Sequence, residues 1–518
     1  MNRERWTMLA AILGSASVFL DSTVVNVALF KIGKELPSTF VGVLEGQTYV
    51  TSGYLATLAA LVILAGALAD YYGRRRVFTI GLASFGFVSV LCGLAPTLEL
   101  LVVFRVLQGA AGALLVPGSL SILTATFEGP ARGRAFGIWA AATSATTILG
   151  PLVGGLFVDT LTWRLAFLIN VPVVLIALYA TRRHMSESRD EEASGRFDWL
   201  GAVVVALAVG GLAFGAIRGQ DKQWHDSLAF AALGIGILGA LAFPFLMARR
   251  PNPLVPLSLF RSRDFAVINL STLLVYGALY VTFGFQTLFM QGVLGYTALG
   301  AALTGLPGGL LVTLLSTRVG TMAGRIGGRR FLIVGPALMA CGLLWYARVP
   351  ATSLPWRPGV GVGGLGDFVP PASTFIDILP AVLLFGGGIA LVVAPLTTTL
   401  MSSVPVRNSG LASAINNAIA RVGQPLLAAV IFIVVSGTFY ATLAREVPGL
   451  DPNSAAIRHD VQPLNPPVAS VPPDVVAASR EASTDAFHLA ALVGAGLLFA
   501  GSAVNGLGLS ARRPDSNA

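Results

Sequence analysis

Long apolar runs separated by short polar connections dominate this sequence of 518 residues. Of these residues 55% are hydrophobic and only 11% are charged, whereas a soluble domain carries about 25% charged residues. A run of about 20 apolar residues can cross a bilayer as a helix. Because lipid offers no partners to exposed backbone N–H and C=O groups, runs of this length must be helical. The pattern therefore predicts an all-α membrane protein.

We predict fourteen transmembrane helices. They cover about residues 7–30, 44–69, 77–95, 98–124, 134–158, 164–181, 198–218, 228–247, 266–291, 299–321, 330–347, 376–402, 407–437 and 484–509. Cytoplasmic connections carry an excess of Lys and Arg, and about 21 of these residues fall on one side against about 10 on the other. We expect that side, and both termini, to be cytoplasmic, so the net charge of +9 indicates topology rather than nucleic-acid binding. We call it the arginine-rich face; it includes Arg74, Arg75, Arg76, Arg132, Arg134, Arg329, Arg330 and Arg407.

Two connections on the opposite face are long, at about 348–374 and 438–483, and both are rich in Pro, Gly and Ala. Such composition favours irregular or polyproline-II-like structure. We expect both to be solvated connectors. The alternative is a docking surface for an outer-side adaptor protein.

An internal repeat relates the two halves of the chain. Residues 66–76 read GALADYYGRRR and residues 320–330 read GTMAGRIGGRR, with glycines and trailing arginines aligned. Related segments at matched places are typical of secondary transporters built from repeated bundles. We expect a six-helix bundle at 1–190, an inserted helix pair at 191–255 and a second six-helix bundle at 256–518.

Three charged residues fall inside apolar runs. At about 1.5 Å per residue, Asp21 lies about 22 Å along its helix, Arg105 about 9 Å from the outer edge and Arg421 about 21 Å above Arg407. All three thus belong to one layer of the bilayer. A charge in lipid must be paired or hydrated, and such residues commonly serve ion or substrate movement. The alternative is a structural ion pair that holds helices together.

Several segments resemble motifs of the major facilitator superfamily. Residues 66–76 resemble its signature between the second and third helices, 105–109 (RVLQG) a motif associated with proton coupling, and 150–155 (GPLVGG) a motif of antiporters. Residues 21–29 (DSTVVNVAL) resemble the first-helix motif of the fourteen-span drug:proton antiporters of the EmrB/QacA type. Two positions depart from these patterns: Phe30 stands where Pro is usual, and Thr146 replaces a glycine.

The resemblance implies a major facilitator fold and roles for particular residues. The proton-coupling residues would be Asp21, Arg105 and Arg421. The inner gate, a latch whose charge pairs form in one conformation and break in the other, would consist of Asp70, Gly73, Arg74 and Arg75. The antiporter motif would comprise Gly150, Pro151, Gly154 and Gly155.

Aromatic residues of the ninth predicted helix suggest a substrate cavity. Tyr276, Tyr280 and Phe283 share a helix face at spacings of four and three, and Gln286 follows them. An aromatic wall could bind apolar drugs, or cations through cation–π contacts. A packing or lipid-facing stripe is the equally simple reading. We add to the predicted cavity Asn26, Tyr49 and Asn416.

The sequence gives no support for transport driven by ATP hydrolysis. It has no G-x-x-x-x-G-K-[ST] phosphate loop and no candidate cofactor or metal site. We therefore expect a proton-coupled exporter of hydrophobic or cationic drugs, antibiotics or related natural products in a bacterial cytoplasmic membrane, surrounded by lipid and not an enzyme. Exporters of lipids or other metabolites are the first alternative. A non-transporting membrane receptor or scaffold is the second.

Overall fold

The computed structural model describes residues 3–37, 43–189, 197–221, 224, 226–358, 368–467 and 471–510, and no strand occurs in them. The α-helices are α1 (Arg3–Glu35), α2 (Val43–Tyr72), α3 (Arg74–Gly93), α4 (Leu98–Ala113), α5 (Val116–Thr126), α6 (Gly129–Thr160), α7 (Leu165–Leu168), α8 (Asn170–His184), α9 (Trp199–Asp221), α10 (Ser227–Arg249), α11 (Arg263–Leu288), α12 (Ala298–Ile326), α13 (Arg329–Tyr346), α14 (Leu379–Ser402), α15 (Ser409–Glu446), α16 (Ala455–Asp460) and α17 (Pro473–Gly508). Short 3-10 and π-helical turns occupy Leu257–Arg261, Phe289–Leu294, Thr374–Ile378 and Val406–Asn408.

Within the described residues, 11 helical stretches are long and apolar enough to cross a membrane. The chain is therefore a multi-pass membrane protein. The stretches do not include α6, α13 or α15, which have 32, 18 and 38 residues. At about 1.5 Å per residue even the shortest of these is about 27 Å long. Two of them, α6 and α15, contain residues whose side chains lie outside the described part of the structure, so the count of fourteen stays a prediction.

The helices pack in two groups. In the first, α1 contacts α2, α5, α6 and α8, while α3 contacts α4 and α8. In the second, α14 contacts α12 and α13, while α17 contacts α11, α13 and α15, and α11 contacts α15. Contacts between the groups run mainly from α6 to α12 and from α2 and α5 to α15. We call this contact surface the seam.

Glycines bring the two groups together near the arginine-rich face. A Cβ atom at Gly66 of α2 would lie 2.4 Å from the Cβ of Ala414 and 2.5 Å from the carbonyl oxygen of Gly410. Likewise, a Cβ at Gly133 of α6 would lie 2.5 Å from the carbonyl oxygen of Gly320 in α12. Small residues permit this backbone approach between helices. The seam is therefore tightly closed at the arginine-rich face.

The pair α9 and α10 stands beside the seam. Helix α9 packs on α10, on α2 of the first group and on α15 of the second. A Cβ at Gly210 would lie 2.8 Å from the Cβ of Ala60, so α9 and α2 are in close contact. The outer helix α10 exposes large apolar side chains, including Leu238, Leu241 and Phe245. These side chains form a surface suited to lipid.

The fourth apolar run is not one continuous helix. It breaks at Leu114 and Leu115, between α4 and α5. Pro117 explains the break, because it stands in the first turn of α5 and has no N–H to donate to the preceding turn. Around the break, the N–H of Leu115 donates to Gly112 instead, over 3.0 Å.

The two long connections are better packed than expected, and the second is also shorter. Helix α15 reaches Glu446 and α17 begins at Pro473, so the second connection is 447–472 rather than 438–483. Within it α16 forms, and Val461 and Leu464 are buried. The expectation of a solvated connector is thus wrong there, because apolar residues between the prolines pack on the bundle. The first connection is also anchored, since Arg357 donates to the carbonyl oxygen of Gly295 over 2.9 Å.

Candidate functional site

Asp21 lies at the centre of a buried polar network within the first group of helices. Its side chain is fully buried and forms an ion pair with Arg105 of α4. The Nε2 of Gln108 and the Nδ2 of Asn170 donate to the other carboxylate oxygen, over 2.9 and 3.0 Å. The carboxylate therefore has charged and neutral donors at once. Buried charges are retained in proteins only with such compensation.

Arg105 is also fully enclosed. Its Nε donates to the carbonyl oxygen of Val50 over 2.9 Å, and its Nη1 donates to Oε1 of Gln108 over 2.7 Å. The guanidinium carbon lies 4.1 Å from the centroid of the Tyr54 ring, a cation–π contact. Three helices, α1, α2 and α4, are thus joined by one side chain.

The helix that carries Asp21 lies against the predicted antiporter motif. A Cβ at Gly150 of α6 would lie 1.9 Å from Oγ1 of Thr23, and a Cβ at Gly154 would lie 3.1 Å from the carbonyl oxygen of Val24. Only glycine allows this approach. Because Thr23 and Val24 lie two and three residues after Asp21, a displacement of α6 would be transmitted to the segment that holds the carboxylate.

A second polar cluster crosses the seam at the arginine-rich face. The carboxylate of Asp70 accepts hydrogen bonds from the N–H groups of Gly410 and Leu411, over 3.2 and 2.8 Å, in the first turn of α15. It also accepts from Nε of Arg74 over 3.0 Å. The Arg74 guanidinium in turn donates to the carbonyl oxygens of Val406 and Arg407, over 2.6 and 3.0 Å. We call this cluster the latch.

The other two predicted gate residues lie within the first group. Gly73 has φ +109°, and a Cβ there would lie 2.7 Å from the Glu187 carboxylate, so glycine is required. Glu187 accepts from the N–H groups of Arg75 and Arg76 at the start of α3. The guanidinium of Arg75 donates to the carbonyl oxygen of Arg182. Gly73 and Arg75 therefore shape the loop beside the latch without crossing the seam.

Arg421, the third predicted coupling residue, is not part of the Asp21 network. Its side chain is partly buried, and its Nε is buried without a hydrogen-bond partner. In the described part of the chain no carboxylate pairs with it. It does interact electrostatically with Tyr54, the residue whose ring stacks on Arg105.

The predicted cavity residues are dispersed. The amide of Asn416 donates to Asn269 and Thr272 of α11, over 3.2 and 2.7 Å, which joins two helices of the second group. The hydroxyl of Tyr49 accepts from Arg218 of α9. These contacts are structural, so their role in a cavity stays a prediction.

The residues of the aromatic stripe of α11 also have different surroundings. Tyr276 packs on the apolar core, whereas Phe283 is 47% exposed and lies edge-on to Phe385 of α14. Gln286 donates to the hydroxyl of Tyr346 over 2.6 Å. Four other predicted site residues stand in helices, but their surroundings lie outside the described part of the structure: Asn26, Pro151, Gly155 and Tyr280.

Sequence reasoning did not assign roles to several members of the Asp21 network. Gln108 and Asn170 each donate to the carboxylate, and both also lie within hydrogen-bond distance of Ser89. All three are buried, uncharged polar residues within apolar helices. Their position within apolar helices could have indicated membership of a polar network, because a buried amide in a membrane helix needs a hydrogen-bond partner.

This chain is similar to known proteins over most of its length. It matches the family described as Major Facilitator Superfamily over residues 11–428. Multidrug resistance protein Stp of Mycobacterium tuberculosis (strain CDC 1551 / Oshkosh) is 34% identical over 86% of this chain and 78% of that protein. The tetracenomycin C resistance and export protein of Streptomyces glaucescens is 31% identical over 95% of this chain and 88% of its own. The solved proton:xylose symporter XylE, at 14% identity and a TM-score of 0.57, covers 96% of this chain and 95% of its own length, a likeness of fold alone.

Proposed function

This chain belongs to the major facilitator superfamily, and from that premise we propose that it is a proton-coupled antiporter that exports hydrophobic drugs, antibiotics or related natural products. Two similar proteins are named for drug resistance or export. The observation that carries the coupling is the buried ion pair between Asp21 of α1 and Arg105 of α4.

We propose that Asp21 is the proton carrier. Protonation neutralises the carboxylate and weakens its attraction to Arg105, while Gln108 and Asn170 can still donate to it. Release of the proton restores the ion pair. Because α6 packs directly behind Asp21 through Gly150, this change in pairing is placed to bias the position of the helix that forms the seam with α12. Transporters of this kind work by moving one bundle against the other around a central site.

The latch supplies the second half of the cycle. Its hydrogen bonds join the first group to α15 and exist only while the arginine-rich ends of the groups touch. The observed closed seam is therefore the state in which a substrate could leave toward the opposite face. Breaking the latch would open the arginine-rich face for loading.

We further propose that α6, α13 and α15 are membrane spans, which gives fourteen. Each is long enough to cross a bilayer, and the polar side chain of Asn416 in α15 bonds the neighbouring helix α11. The proposed divisions are 1–190, 191–255 and 256–518, and they follow the two packing groups and the α9–α10 pair. Both termini would then be cytoplasmic. An adaptor protein remains an optional partner for the outer segments.

The test is transport by purified protein in vesicles. An inward proton gradient should drive movement of a fluorescent substrate only in wild-type vesicles, and a protonophore should abolish it. Asp21→Asn vesicles with equal protein content are the control. Gradient-independent movement in the wild type would reject proton coupling. Movement of labelled phospholipid in place of drugs would favour a lipid exporter.

A further inference from the structure

We propose that Arg421 is the charged element of the substrate cavity and that it selects aromatic compounds bearing an acidic group over lipophilic cations. This proposal rests on the proposed export function and assigns its substrate class. It narrows the expected range of hydrophobic or cationic drugs, antibiotics and related natural products.

Helix register places Arg421 at the seam. Gly410 and Ala414 of α15 lie against Gly66 of α2. Arg421 is 11 positions after Gly410 along α15, which is about 17 Å at 1.5 Å per residue. It lies within about 20° of the helix face that carries Gly410. Residue numbers rise along α15 and fall along α2 as the helices lead away from the arginine-rich face. Along α2, Tyr54 stands 12 positions from Gly66 in that direction. Arg421 and Tyr54 therefore lie at the same depth, in agreement with their electrostatic interaction. The ring of Tyr54 itself points into the first group, where it lies over Arg105.

The charge balance at that level is positive. Asp21 is fully buried within the first group and its charge is matched by Arg105. The remaining carboxylates of the sequence stand near helix ends or in connections. Among those of these carboxylates that the structure describes, Asp485 lies furthest from the ends of its helix. Its carboxylate is 3.9 Å from the guanidinium of Arg445, in the last turn of α15. Arg421 is thus the uncompensated charge at mid-depth.

An unmatched guanidinium in a bilayer is costly unless water or a counter-charge accompanies it. The buried Nε of Arg421 has no acceptor in the described structure. A carboxylate, phenolate or enolate of a bound molecule would supply both a charge and acceptors, and a guanidinium matches such groups with paired donors. A lipophilic cation at the same place would meet like charge. Apolar rings of the ligand would remain in contact with the helices of the seam.

Two xanthene dyes make a matched test. Fluorescein is anionic at neutral pH and rhodamine 6G is cationic, while both share the same tricyclic ring system. Affinity is measured by fluorescence anisotropy on purified protein, which does not require transport. Proton-driven uptake into vesicles is measured in parallel. The variants are Arg421→Gln, Arg421→Lys and, as a matched loss of an exposed arginine in the same group, Arg318→Gln.

The wild type should bind fluorescein more tightly than rhodamine 6G. Arg421→Gln should lower the ratio of the two affinities by about tenfold, which corresponds to one charge-assisted hydrogen bond. Arg421→Lys should keep most of the ratio, and Arg318→Gln should keep all of it. A wild type that binds no fluorescein, or prefers rhodamine 6G, overturns the proposal.

The same measurements separate this proposal from two others. If Arg421→Gln reduces the uptake of both dyes equally and leaves the affinity ratio unchanged, Arg421 serves proton coupling instead and the substrate assignment is rejected. If the affinity ratio shifts as expected but no dye responds to the proton gradient, the proposed export mechanism fails while the anion site stands.

Discussion

Asp70 of α2 binds the backbone N–H of Leu411 across the seam, over 2.8 Å, at the third position of α15. A carboxylate at this position caps a helix N-terminus and interacts favourably with its dipole. Here the capping residue belongs to a different group of helices from the helix it caps. The cap therefore exists only while the two groups meet at the arginine-rich face.

Asp70→Asn should shift the protein away from the closed arginine-rich face. Loss of the charge–dipole contact and weaker hydrogen bonds should cost about 1 kcal/mol, or about a fivefold change in the balance of states. Distances between spin labels at Arg76 and Ser402, both exposed, would report the shift in a background lacking Cys341. The matched control is Glu187→Gln, which acts within the first group only. An unchanged distance distribution in Asp70→Asn would reject the latch.

Asp21→Asn should abolish proton-driven exchange, because an amide cannot carry the proton. It should also lower thermal stability, since breaking a buried ion pair at one partner costs up to about 3–5 kcal/mol. The double variant Asp21→Asn, Arg105→Gln should recover part of that stability and none of the transport. Melting temperature and vesicle uptake together separate the two effects. Wild-type uptake by Asp21→Asn would remove this residue from the coupling mechanism.

Arg105→Lys should retain part of the transport activity and Arg105→Ala should retain none. The guanidinium bonds Asp21, Gln108 and the carbonyl of Val50 at once, whereas an ammonium is a point charge on a flexible stem. Uptake rates at matched protein content are the measurement. Equal, full activity of both variants would show that this network is not needed for exchange.

Leu464→Ala should lower the melting temperature, because Leu464 is buried where the second outer connection meets the bundle. Removing a buried leucine side chain commonly costs about 2–5 kcal/mol. Leu354→Ala, in the first outer connection, is the control, since that side chain is 64% exposed. Similar melting temperatures for the two variants would mean that the outer connection adds nothing to stability.

The sequence alone predicts much of this architecture, because apolar length and arginine placement are properties of the chain itself. Asp21 and Arg105 were predicted to share a layer, and the structure pairs them. Two outcomes depend on long-range packing and escape such reasoning. The register that places Arg421 on the seam face of α15, outside the Asp21 network, follows from glycine contacts between distant helices. The burial of Leu464 depends on the π-helical turn Phe289–Leu294 and on α17, since the carbonyl of Leu464 would meet a Cβ at Gly292 and its N–H bonds Ser483.

Helix α9 packs on both α2 and α15, and Arg218 near its end bonds Tyr49 of α2. On that flank the seam is covered along its length by a helix that belongs to neither group. A compound dissolved in the bilayer therefore meets α9 and α10 before it can reach Arg421 from this direction. From the other flank it meets the contact between α6 and α12, where glycines bring the two backbones together near the arginine-rich face.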